Sequence, residues 1–197
     1  MFGFSDFTMN RATWFLPFYL LFFSAVTISA QTLEHKPRKS PTGLVNFKDG
    51  DQYLKITYGR PKLISDRQFP FGESREIARH QWGKIWRTGD DDATEFTFTQ
   101  PLKFAGKSVD PGTYSLFTIP DSTEWTVMLN NEVGLWGTYK YNPEKDVVRE
   151  KVKVYKSPYV YEEFSIFLMK QDYGADIIMI WGRVAVAIPL EYARKGD

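Results

Sequence analysis

From Tyr53 to Ile188 the chain repeats one pattern: short runs in which apolar and polar residues alternate, each closed by turn-forming residues. A period of two places alternate side chains on opposite faces of a strand, and runs of this length cannot bury one side of a helix. Leu54, Ile56 and Tyr58 alternate with Tyr53, Lys55 and Thr57, and Phe96 and Phe98 alternate with threonines. Leu102–Phe104 and Lys107–Val109 flank Ala105-Gly106, a hairpin signal. Pro111-Gly112 leads into Thr113–Ile119, and Trp125, Val127 and Leu129 share the next face. Val148, Val152 and Val154, then Phe164, Ile166 and Leu168, continue the series. Ile177–Trp181 is apolar on both faces, as a central strand is, and Val184, Val186 and Ile188 complete the set. About nine closely spaced strands predict an all-β, antiparallel β-sandwich, jelly-roll-like or immunoglobulin-like. One interruption stands out. Ser74–Ile85 has a capping serine and Ile77, Gln81 and Ile85 at helical spacing, which predicts a short helix inside a long loop.

The ends differ from the middle. Trp14–Ile28 is almost wholly apolar, Arg11 precedes it and Ser29-Ala30-Gln31 follows it. This is the layout of a secretory signal peptide cleaved after Ala30; the run is short for a stable membrane span and contains Pro17. Residues 31–43, polar with two prolines, read as a flexible lead-in, and residues 44–192 as one domain. The expectation is therefore a periplasmic or secreted protein with no stable membrane span after cleavage. The chain has no cysteine, so the fold lacks disulfides and rests on its core, to which 17% aromatic residues contribute. A net charge of +1 gives no footprint for nucleic acid.

Familiar catalytic motifs are absent: no G-x-S-x-G, no H-E-x-x-H, no P-loop and no G-x-G-x-x-G. Of two histidines, His35 lies in the lead-in, so a histidine-dependent site would use His80; its plainer reading is a solvent-facing loop residue. The densest polar cluster is Trp86-Arg87-Thr88-Gly89-Asp90-Asp91-Asp92-Ala93-Thr94-Glu95. Three consecutive aspartates offer oxygens to Ca²⁺ but lack EF-hand spacing, and a solvated acidic turn, or pairing of Arg87 with one aspartate, accounts for them more simply. A paired-carboxylate hydrolase would draw on Asp91, Asp92, Glu95 and Glu132, whose relative placement the sequence does not give. Trp82, Trp86, Trp136, Tyr139 and Tyr141 fall in or beside loops, where rings stack on sugars or plug the ends of a β-core. Gly89 is expected to supply a positive-φ turn, and Gly112 a type II turn. Arg60 and Arg87 need partners if buried; if they converge they suit an anionic or hydroxyl-rich ligand.

Three blocks occur in order: Arg60-Pro61 with Gly83–Gly89 and Ala93-Thr94; Gly112–Pro120; and Trp125–Val127 with Trp136–Tyr141. They resemble domain-of-unknown-function family 2911, exported proteins of Gram-negative bacteria, over about Leu44 to Leu190. The resemblance implies an exported β-rich domain and little mechanism. An asparagine-synthetase-like label carried by some members finds no counterpart here, since there is no cysteine nucleophile and no nucleotide loop. Where the family reads W-R-T-G-A-N-E-A-T, this chain has Asp90, Asp91 and Asp92, and its stretch between Phe71 and Trp82 is longer.

Three functional readings follow. The first is a non-catalytic exported binding module for a small polar ligand such as a glycan, with Trp86, Trp136 and Tyr139 stacking and Arg60, Arg87 and Asp91 hydrogen-bonding. The second is an envelope structural or assembly protein acting through protein contacts. The third is a hydrolase with a carboxylate or His80-based site. No cofactor and no metal site are expected, and the residues leave the oligomeric state open.

Overall fold

A computed structural model of the chain describes residues 38–63 and 69–192. The expected signal peptide, residues 1–30, and the expected lead-in as far as residue 37 lie outside the described residues. Among the described residues eleven strands run in chain order: β1 Thr42–Asp49, β2 Gln52–Gly59, β3 Phe69–Gly72, β4 Ala78–Gln81, β5 Thr94–Phe98, β6 Leu102–Phe104, β7 Lys107–Val109, β8 Gly112–Ile119, β9 Glu124–Asn130, β10 Asp146–Gln171 and β11 Gly174–Tyr192. The one helical element among the described residues is a 3₁₀ turn, Pro143–Lys145, capped by the Asn142 side chain.

The order β1-β2-β5-β8-β9-β10-β11-β6-β7 is antiparallel throughout. The all-β sandwich is made by one strand that serves two sheets. The first part of β10 pairs with β9, as far as Val152 opposite Trp125 and Lys153 opposite Glu124. Its remainder pairs with β11, beginning with Val154 opposite Val186. Alternation then turns one side of each sheet inward. Leu54, Ile56, Phe96, Phe98, Leu116, Val127 and Leu129 face Phe104, Phe164, Ile177, Met179 and Ile188 in one buried cluster. Each such side chain contributes roughly 1.5–3 kcal/mol by leaving water. The Ala105-Gly106 hairpin forms as the sequence predicts, with consecutive positive φ values of 48° and 83°.

A smaller cluster, Ala93, Phe117 and Met128, lies on the other face of the first sheet, against Ile85, Leu135 and Tyr141. The chain after β9 is fastened there by buried Asn130. Its Nδ2 donates to the Asn142 carbonyl and to Asp146 Oδ1, both at 2.9 Å, and its Oδ1 accepts from the Glu132 N–H at 3.0 Å.

The helix predicted over Ser74–Ile85 is not formed. Residues 73–77 make a turn, and β4 runs parallel to β3, pairing Phe69 with Ala78 and Phe71 with His80. The helical stripe would have needed Ile77 inside, whereas Ile77 is exposed and Ala78 is buried. Gly72 permits this pairing, since a Cβ there would lie 2.9 Å from the Ala78 methyl. Two turn expectations also change. Gly89 and Gly112 do not have positive φ; Thr88 (56°) and Asp91 (63°) carry the left-handed backbone of the acidic loop. Gly89 is required instead by close approach, because a Cβ there would sit 2.9 Å from the Gly59 carbonyl oxygen.

Candidate functional site

The loop between β4 and β5 is bolted to the first sheet at Trp86. Its N–H donates to the Thr118 carbonyl at 2.7 Å, and the Thr118 N–H returns the bond at 2.9 Å. The indole is 2% exposed and its Nε1 donates to the Gly89 carbonyl at 2.8 Å. Rings of Phe71, Trp125, Phe164 and Trp181 surround it at centroid distances of 4.9–6.0 Å. Trp86 is thus the keystone of an aromatic core and offers no open face for stacking a ligand. Beyond it, the positive-φ residues Thr88 and Asp91 reverse the chain, and the Thr94 hydroxyl ties the bend by donating to the Thr88 carbonyl at 2.6 Å.

That reversal delivers Asp90 to two arginines from different elements. Arg87 Nη2 donates to Asp90 Oδ1 at 2.6 Å, and Arg79 Nη2, from β4, donates to Oδ2 at 2.9 Å. The Ser40 hydroxyl adds a third bond, to Oδ2 at 2.9 Å. Burial works to raise the Asp90 carboxyl, but hydrogen bonds from Arg87 and Ser40 and the charges of Arg87 and Arg79 outweigh it and hold the group below the usual carboxylate range. His80 lies half-buried beside this cluster, 5.1 Å from the Trp86 ring, 6.0 Å from Trp181 and 6.2 Å from Phe71. It is not the solvent-facing residue expected from the sequence. Burial, then the positive charge of Arg87 and Arg75, pushes its pKa down to about 3, against the opposing pull of Asp90. The ring is therefore neutral at physiological pH. Arg75, Ala78, Arg79, His80, Arg87 and Asp90 together line a cavity of about 210 Å³.

The other residues singled out from sequence divide. Arg60 pairs with Glu163 at 2.9 Å and stands 3.5 Å from the Ser165 hydroxyl; it does not line the cavity that Arg87 lines. Asp91 is a local anchor: its Oδ2 accepts from the N–H groups of Lys39 and Ser40 at 2.8 and 2.9 Å, and its carbonyl accepts from the Gly137 N–H at 3.0 Å. Asp92 pairs with Arg38 and forms a β-bridge with Trp136. The turn after Trp136 packs on Arg87, since a Cβ on Gly137 would lie 3.0 Å from Arg87 Nη1. Arg87, Asp91 and half-buried Trp136 thus share one neighbourhood, with Tyr139 exposed nearby on the same turn. Each aspartate of the triplet has its own partners, and among the described residues no group of three or more acidic or histidine side chains is placed to hold a metal ion. Asp92 and Glu95 line a second cavity, about 280 Å³, with Arg38 and Tyr58; Glu95 Oε1 accepts there from the Gly134 N–H at 3.0 Å.

Sequence reasoning missed Arg75, Arg79 and Ser40. The first two stood in plain view around His80 in S-R-E-I-A-R-H, but only the β3–β4 pairing turns Arg79 and His80 toward the Arg87-Asp90 loop.

Fold and cavity define a class: an all-β sandwich with a small basic cavity set at the edge of its aromatic core. The chain belongs to the family described as protein of unknown function (DUF2911), whose model matches residues 40–190. No curated protein and no solved structure matches it. Among the described residues no helix is long and apolar enough to cross a membrane.

Proposed function

We propose that the chain is an exported, non-catalytic binding module that holds a small polar ligand in the cavity of Arg75, Arg79, His80, Arg87 and Asp90. The observation that carries this reading is the meeting of Arg79 and Arg87, from separate elements, on one carboxylate beside a neutral, half-buried imidazole. Convergent polar groups at a concavity, with strongly perturbed ionisation, are the usual mark of a binding site. Binding is favoured over hydrolysis because Asp90, the carboxylate of the cavity among the described residues, is tied up by Arg79, Arg87 and Ser40 in a charge cluster. Stacking on Trp86 is dropped from the reading, and Tyr139 and Trp136 remain as rim contacts. Export rests on the leader pattern of residues 1–30.

The proximity of His80 to Trp86 gives the test. A ligand in the cavity changes tryptophan fluorescence when sugars, sugar acids and inorganic anions are titrated, and His80→Ala abolishes the response. A protein silent to every ligand, or a response unchanged in His80→Ala, would overturn the assignment.

A further inference from the structure

Resting on that reading of the cavity, we propose that its ligand carries a doubly charged oxyanion, a phosphate or a phosphate monoester, seated among Arg75, Arg79, Arg87 and His80. Among the described residues the lining supplies three guanidiniums against one carboxylate. Asp90 takes one N–H from Arg79 and one from Arg87, and a guanidinium has five to give. The described lining therefore keeps two units of positive charge and several donors in planar arrays, the geometry that recognises phosphate in pairs of hydrogen bonds. A carboxylate would neutralise half of that charge, and a neutral sugar none of it.

Size points the same way. About 210 Å³ is below the range of roughly 300–1,000 Å³ typical of sites that enclose a whole small molecule. It suits a phosphate group whose remainder lies outside. His80 closes the aromatic side as an uncharged imidazole against Phe71, Trp86 and Trp181, where its ring N–H serves as a donor without adding charge. Asp90 keeps the arginines in place and repels an anion of the wrong geometry, so the site discriminates by fit as well as by charge.

The experiment is calorimetric titration of the purified protein with inorganic phosphate, glycerol phosphate, acetate and glucose, alongside His80 imidazole resonances by NMR. Phosphate and glycerol phosphate bind and shift His80, acetate binds at least about tenfold more weakly, and added salt weakens phosphate binding. Arg75→Gln, a change at an exposed side chain that leaves the Asp90 cluster intact, lowers phosphate affinity about tenfold, while Lys151→Gln on a distant strand leaves it unchanged. Stronger binding of glycerol phosphate than of phosphate identifies a monoester as the natural ligand; the reverse identifies free phosphate. Acetate or glucose shifting His80 as tightly as phosphate would overturn the dianion and leave the cavity as the binding site. Phosphate binding that is indifferent to Arg75→Gln would place the anion elsewhere and also overturn it. If no ligand of any charge moves His80, the binding reading falls with it.

Discussion

Asp90 is the residue on which the local electrostatics turn. It is the shared acceptor of Arg79, Arg87 and Ser40, and its side chain is 12% exposed while the two arginines are about a quarter exposed. Asp90→Asn removes the charge that both guanidiniums face. The cost lies between that of a surface pair and that of a fully buried one, about 2 kcal/mol, read as a lower urea midpoint. Asp90 and His80 also give the protein an acid-sensitive stability of fixed sign. The His80 pKa falls from 6.5 to about 3 in the fold, so the unfolded chain takes up a proton that the native ring refuses. Stability is complete above about pH 6.5 and declines by up to about 1.4 kcal/mol per pH unit toward pH 3. Asp90, whose folded pKa is depressed, contributes stability above its unfolded value of 3.8 that is lost as the pH falls through the folded one. His80→Phe is expected to remove its share of the slope from pH 6.5 down to about 3 and leave the carboxylate-linked fall at the acid end, measurable as chemical denaturation across that range.

The elements that place the site are short, and a long one holds them. β10 crosses from the first sheet to the second, and its ladder with β11 shifts register on both sides of the Tyr161–Gly182 pair. Gly182 has φ of 59°, and a Cβ there would lie 3.0 Å from the Pro70 ring of β3. The bend lets β11 return on itself, so that the Tyr192 N–H reaches the Tyr173 carbonyl at 3.0 Å. Gly182→Val forces a branched residue into the left-handed region and against β3. An unfolding cost of about 1–3 kcal/mol is expected, together with weaker ligand response, because β3 carries β4 and with it Arg79 and His80. A loss of stability with the fluorescence response intact would show that β3 moves independently of the site. The predicted strands were legible because each has its own period of two. The β3–β4 pair was not: Phe69–Gly72 and Ala78–Gln81 are four residues each, too short to establish a period, and the Ser74 cap with Ile77, Gln81 and Ile85 imitated a helix.

At the scale of the whole molecule the N-terminal approach is part of the fold. Arg38 pairs with Asp92, the Lys39 and Ser40 N–H groups bond Asp91, and the Ser40 hydroxyl bonds Asp90. A chain trimmed to begin at Pro41 leaves all three aspartates short of a partner. A midpoint lower by about 5–10 °C is expected, in line with about 2–3 kcal/mol of lost hydrogen bonding, and a trimmed protein as stable as the parent would make those contacts incidental. The proposed export is checked by mass spectrometry of the protein recovered from the periplasm or medium of an expressing host, where Gln31 is expected as the first residue and a chain that keeps residues 1–30 would overturn it. With no cysteine, reducing agents should leave thermal unfolding unchanged.

By itself the sequence determined the β-class, the placement of most strands and the family, because alternation, turn residues and motif order are local properties that survive without a partner. It also located the Arg87–Asp90 stretch as chemically dense. The tertiary structure decided which groups meet. It enclosed Trp86 in a ring of aromatics, committed Arg60 to Glu163, and joined Arg79 to Arg87 across Asp90 beside a desolvated His80. Those outcomes depend on β3–β4 pairing and on the close pass of Gly59 and Gly89, contacts between segments remote in sequence whose geometry no local period encodes.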